Sequence, residues 1–139
     1  MEYINYNLLE YDYENNLETL NGFSFSGIAY EIRNDGCLEE VMIVGGMKNG
    51  YCRTWYPSKT RKSEEHYFNN SLHGISWEWY ENGQMKKESI YEYSVKVKET
   101  EWDLFGNIIV CFKIEESSDA YILLNKLRKY YNLKEFPSH

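Results

Sequence analysis

Proline is nearly missing from this chain, which has two in 139 residues, so few positions lose a backbone donor and hydrogen-bonded ladders can run long. Cysteine is scarce and odd in number: Cys37, Cys52 and Cys111 lie far apart and form no CxxC pair. Such spacing indicates neither a disulfide framework nor a zinc knuckle. Positive charge is in deficit, with 15 Lys plus Arg against 22 Asp plus Glu and a net charge of −7. Nucleic acid would repel such a chain, so no direct nucleic acid binding is expected, and a charge-driven partner is expected to be basic. No apolar run is long enough to span a bilayer, and the N-terminal MEYINYNLLEYDYENN has no basic segment leading into an apolar one. Neither membrane insertion nor a cleavable signal is expected, and a cytoplasmic location is the default. HExxH, GxSxG, a phosphate loop and a dinucleotide-binding glycine fingerprint are all missing, and His66, His73 and His139 share no metal-ligand spacing. No catalytic residue, cofactor or metal site is therefore expected, and the chain is not expected to be an enzyme.

Aromatic residues are abundant instead, with 14 Tyr and 4 Trp. Broad rings suit a half-buried pleated surface, which favours an all-β fold, and the length suits one domain spanning 1–139. The clearest local signal is Leu72 to Tyr91, LHGISWEWYENGQMKKESIY, which reads as a β-hairpin turning at Asn82-Gly83, a dipeptide that tolerates positive φ at both positions. Aligning a leading residue with a turn residue nine positions on reveals copies of it: Gly27 with Gly36, Gly50 with Lys59, Gly74 with Gly83, Val97 with Gly106. The turn positions are 23, 24 and 23 residues apart. A fixed period of that size predicts an array of hairpins over 21–114 that share one core.

The aligned columns separate two faces. Ile32, Trp55, Trp79 and Trp102 share a column, flanked on the same face by Tyr30, Arg53, Trp77 and Thr100 and by Ile28, Tyr51, Ile75 and Lys98; this mainly apolar face is expected to be the core. The alternate columns hold Glu31, Thr54, Glu78 and Glu101, then Arg33, Tyr56, Tyr80 and Asp103, and predict a solvated face or a polar interface. Glu31, Glu78, Glu81, Glu99, Glu101 and Asp103 form a candidate acidic strip for a basic partner, with Tyr56 and Tyr80 as amphipathic anchors beside it. The returning strands are less regular and suggest bulges. Lys48, Arg53, Lys59, Arg61 and Lys62 make a basic island in the second unit. Gly45-Gly46 fits a hairpin connection. Residues 1–20, the most acidic part, predict an edge strand or an arm. After Ile114 the period becomes helical: Ser117-Ser118-Asp119 offers N-caps, and Ala120, Leu123, Leu124, Leu127 and Tyr131 make one face of a helix over 117–132, expected to cover the edge and apolar face of the last strand.

The segments NGFSFSGIAYEIRNDG, KNGYCRTWYPSKTRK and LHGISWEWYENGQMKKE resemble the bacterial variant of the MORN repeat: a Gly, an aromatic pair, an Asn-Gly turn and a short Lys-rich return. More narrowly, the layout over about 21–112 resembles the YwqK-type antitoxin or immunity proteins, departing from the pattern at Lys59 and Val97. The resemblance implies an elongated antiparallel meander of tandem MORN-like β-hairpins with a C-terminal capping helix. It also implies a protein that neutralises a cognate bacterial toxin by binding and occluding its active surface. A nuclease-type toxin, basic because it grips nucleic acid, would suit the acidic charge. The other class to which the repeats point is a structural MORN scaffold or a membrane-associated interaction module; a net charge of −7 opposes anionic lipid surfaces.

Overall fold

The computed structural model describes residues 1–132. Along the chain run β1 (Glu2–Asn5), a 3₁₀ turn (Tyr6–Leu8), β2 (Glu10–Asp12), β3 (Leu17–Leu20), β4 (Phe23–Ser24), β5 (Gly27–Ile32), β6 (Leu38–Val44) and β7 (Met47–Trp55). There follow β8 (Arg61–Phe68), β9 (Ser71–Leu72), β10 (Gly74–Trp79), β11 (Met85–Glu92), β12 (Val95–Trp102), β13 (Ile108–Lys113) and helix α1 (Asp119–Asn132). The predicted all-β meander with a terminal helix is what forms. Ten strands make one sheet in the order β1-β5-β6-β7-β8-β10-β11-β12-β13, with β9 also beside β8. Every pairing is antiparallel except that of β1 with β5.

Two kinds of turn alternate along its edges, and each repeats because its chemistry repeats. At one edge the N–H groups of Arg33, Tyr56, Tyr80 and Asp103 each bond the carbonyl four residues on, and the N–H groups of Gly36, Lys59, Gly83 and Gly106 bond back to them. Only the fourth residue of each turn needs the left-handed region: Gly36 has φ 84°, Gly83 91°, Gly106 83°, and Lys59 occupies the same conformation at 74°. Asn82 therefore does not share the positive φ expected of an Asn-Gly pair; its side chain instead accepts from Gln84 N at 2.9 Å. At the other edge, two-residue loops with both φ positive recur every 24 residues, at Gly45-Gly46, Asn69-Asn70 and Tyr93-Ser94. These are the twist-matched hairpin turns that connect one unit to the next. Asn70 and Ser94 also tie units together: their N–H groups donate to Lys48 O at 2.9 Å and Leu72 O at 2.8 Å. Their side-chain oxygens in turn accept from the N–H groups of those same residues.

The face expected to be the core is the half-exposed one. Trp55, Trp77, Trp79 and Trp102 are all partly exposed, and Ile32, which heads their column, is 68% exposed. The buried residues lie in the alternate register: Ala29 faces Val41, which faces Cys52, and Gly27 faces Ile43. Together with Phe25 these form the core, joined by Ile4, Tyr6, Leu9, Leu20 and Tyr67. Periodicity gives a strand two faces but does not say which one is covered. That was decided by the first 25 residues. Beyond β1, β2-β3-β4 make a separate three-stranded sheet. It is bonded to the β6–β7 turn through Glu18 N to Gly46 O at 2.8 Å and Gly46 N to Phe25 O at 2.7 Å. Gly46 is required there, since a Cβ would lie 2.8 Å from Leu17 Cβ and 2.9 Å from Glu18 O.

Helix α1 begins where the sequence places it, with Ser118 Oγ accepting from Tyr121 N at 3.2 Å as the N-cap. Its anchorage differs from expectation. Leu124 is fully buried, Arg128 Nε donates to Glu92 at 2.9 Å, and Tyr131 stacks on Tyr93 at 4.8 Å between ring centroids. The helix thus docks on the β11–β12 turn, and the last strand stays uncovered, with Ile108, Ile109 and Phe112 at 60, 56 and 40% exposure. Leu123, expected on the packed face, is half-exposed.

Candidate partner-binding site

Register assigns the candidate residues to two places. Glu31, Glu78, Glu99 and Glu101 lie on the same face as the core residues, the inner face. Tyr56, Tyr80, Glu81 and Asp103 belong to the turn edge.

At the turn edge, the structure gives the tyrosines a specific task. Tyr56 Oη donates to Trp79 O at 2.7 Å, and Tyr80 Oη donates to Trp102 O at 2.7 Å. Each ring therefore reaches from its own hairpin to the equivalent tryptophan of the next, a clasp made by the second and third units, where the first and fourth carry Arg33 and Asp103. The returning strands carry an extra residue after the turn, at Lys62, Lys86 and Ile109, which is the predicted bulge. The two bulge lysines cover the clasps, Lys62 Nζ 5.5 Å from the Tyr56 ring centre and Lys86 Nζ 5.6 Å from that of Tyr80. Asp103 is likewise occupied: one oxygen accepts from Phe105 N at 2.8 Å and Asn107 N at 3.0 Å, holding its carboxyl below the usual range. Glu81 is exposed.

On the inner face, past the end of the apolar core, the sheet becomes a polar trough. A cavity of about 210 Å³ is lined by Ser63, Glu65, Ser76, Glu78, Lys87 and Ser89, with Trp77 and Tyr91. Lys87 Nζ lies 2.6 Å from Glu78, and Lys96 Nζ 3.1 Å from Glu99, which also accepts from Ser89 Oγ at 2.9 Å. Burial pushes the Glu99 carboxyl up, but the bonds from Lys96 and Ser89 outweigh it and hold it low. Glu65 has the burial without the bonds. Desolvation raises its carboxyl above the ordinary range, with Lys48 and, more weakly, Lys87 opposing the rise and Glu39 and Glu78 adding to it. Among the described residues Glu31, Glu65 and Glu101 carry no ion pair.

Glu65 is the site residue that the sequence reading missed. Its face depends on the bulge between Thr54 and Trp55, which shifts the register of β8 by one residue. Such a slip moves every following side chain to the opposite face. The basic island is largely neutralised on the outer face, where Glu64 accepts from Arg53 at 2.7 Å and Arg61 at 2.8 Å. Cys52 in the core is no activated nucleophile: burial pushes its thiol up to about 12. Among the described residues no cluster of His, Cys, Asp and Glu could hold a metal ion, and no helix is long and apolar enough to cross a membrane.

Comparison with family models, with curated proteins and with solved structures found no match.

Proposed function

We propose that this chain is a non-catalytic immunity or antitoxin protein that binds a basic protein toxin across the inner-face trough and occludes the toxin's active surface. The observation that carries the reading is Glu65, a half-buried carboxylate whose ionised form is disfavoured and which, among the described residues, forms no ion pair. A charge kept in such a place at a cost to stability is a mark of a site. An arginine or lysine from a partner would remove that cost, and Glu31 and Glu101 extend the acidic surface to either side. The rigid sheet holds these groups in place before binding, so little ordering entropy is lost on association. Action in the cytoplasm of the producing cell is part of this reading.

The test is co-expression. Each protein encoded beside this chain is expressed alone to score toxicity, then together with it to score growth rescue and co-purification. Rescue is expected from the wild type and not from the double variant Glu65→Lys/Glu101→Lys, which should retain its circular dichroism. If no neighbouring product is both toxic and bound, or if the charge-reversed variant rescues fully, the proposal is wrong.

A further inference from the structure

Among the described residues, the main sheet ends on a strand with no further strand beside it. Strand β13, Ile-Ile-Val-Cys-Phe-Lys, is last in the strand order, so among the described strands one of its edges is unpaired. It carries none of the usual guards of an edge: no proline, no inward-pointing charge, and a single lysine at its end. The opposite end of the sheet is blunted, with β1 only four residues long and starting at Glu2. In every earlier unit the returning strand pairs onward with the first strand of the next unit, as β6 does with β7 and β11 with β12. The chain instead leaves the sheet at Ile114, and no described strand takes the next place in the ladder.

We propose that a second copy of this chain fills that place, β13 pairing antiparallel with β13 of its partner about a two-fold axis. The backbone fixes which registers are open. Ile114 N donates to Val97 O at 2.9 Å, and pairing runs regularly from Lys98 opposite Lys113 to Glu101 opposite Val110. By alternation the amides of Val110 and Phe112 face β12, and those of Cys111 and Lys113 face outward. Outward amides bond only to outward amides, and an axis through Val110 would rest its bonded pairs on Ile109, the bulge residue, so the two-fold axis passes through Cys111 or Phe112. Charge decides between them. Lys98 and Lys113 already sit opposite each other, and among the described residues neither has an ion pair. An axis at Phe112 would bring the two copies of this lysine pair within about 7 Å along the strands, whereas an axis at Cys111 separates them by about 13 Å. That exceeds the screening length of about 8 Å at physiological salt. The axis therefore passes through Cys111, which exchanges two backbone bonds with its own copy while Lys113 lies beside the partner's Ile109. Isologous closure of this kind gives a dimer and stops there.

Cys111 reports the arrangement directly. Directly paired residues lie about 5.5 Å apart at Cα, inside the range that a disulfide can bridge. Cys111 is exposed, and Cys37 and Cys52 are buried. Under reducing conditions, sedimentation equilibrium of the full chain alone should show a monomer–dimer equilibrium that strengthens with added salt, because each copy carries −7. Cys111→Pro removes an outward N–H and no bond to β12, so the fold should persist by circular dichroism while the dissociation constant rises at least about tenfold. A mild oxidant should trap a Cys111–Cys111 dimer in the wild type. In a Cys111→Ser background, Ile109→Cys should cross-link to Lys113→Cys on mixing, and neither should cross-link to itself. A monomer at all concentrations, a dimer unaffected by Cys111→Pro, or self-linking of the Ile109→Cys variant would each overturn the proposal. None of these measurements involves a toxin, so this inference and the proposed function stand or fall separately.

Discussion

Removing one clasp hydroxyl, by Tyr80→Phe, separates the structural role of that residue from a binding role. The bond lost is Tyr80 Oη to Trp102 O at 2.7 Å, between residues 22 apart in sequence. A net hydrogen bond contributes about 1 kcal/mol, and water can reach this half-buried edge, so the orphaned carbonyl adds little to the cost. For a chain of this size, 1 kcal/mol corresponds to about 3 °C in Tm. Tyr56→Phe should cost the same, through Trp79 O. The double variant should lose about 2 kcal/mol, because the clasps share no partner and their effects add. The local signature is sharper than the global one. In a repeat array each unit leans on its neighbours, so Tyr80→Phe should speed amide hydrogen exchange in β12 and β13 while leaving β5 to β7 unchanged. The matched control is Tyr13→Phe, at an 84%-exposed ring. Thermal melts and exchange mass spectrometry decide the matter. If Tyr80→Phe melts within 1 °C of Tyr13→Phe and exchange is uniform, the clasp reading is refuted.

Three further outcomes are expected. Glu65→Gln should raise Tm at pH 7, because the folded state disfavours ionisation of this carboxyl. The gain should fade as the pH falls from the raised folded value to below the ordinary carboxylate range, where the wild-type residue is neutral in both states; thermal melts from pH 7 to 3.5 would show it, and an unchanged or lower Tm at pH 7 would count against it. Lys59→Gly should stabilise by about 1 kcal/mol in urea titration, since Lys59 holds φ 74° where the three equivalent turns use glycine. Gly46→Ala should destabilise clearly more than Gly45→Ala, although both glycines have positive φ. A Cβ on Gly46 meets Leu17 and Glu18 within 3 Å and one on Gly45 meets nothing within 4 Å; denaturant midpoints of the two variants, and loss of near-ultraviolet signal in Gly46→Ala alone, provide the check.

The repeat was legible because the turn chemistry recurs in the letters. Gly36, Gly83 and Gly106 mark one edge, and the 23- and 24-residue spacings predicted a meander that then appeared, including bulges in the returning strands and the helix capped by Ser118. The second turn class was half visible: Gly45-Gly46 reads as a hairpin connection, but Tyr93-Ser94 has neither glycine nor asparagine, and packing of Tyr93 against His73 and Tyr131 holds it there. The candidate site was less legible. Glu78 and Glu99 line the trough or border it but are neutralised by lysines, and Tyr56, Tyr80 and Asp103 are committed to structural bonds.

Sequence alone determined what repeats along the chain: hairpin period, turn positions, the alternation of two faces, and a terminal helix. Each follows from local backbone preference and side-chain spacing. Tertiary structure decided what those faces meet. The first 25 residues fold over the side bearing Ala29, Val41 and Ile43 and leave the tryptophans half-exposed. The bulges turn Glu65 inward, and the helix docks on the β11–β12 turn and leaves β13 bare. Burial is a relation between segments distant in sequence, and a one-residue bulge reverses a strand's faces, so neither is written in the period of the strand itself.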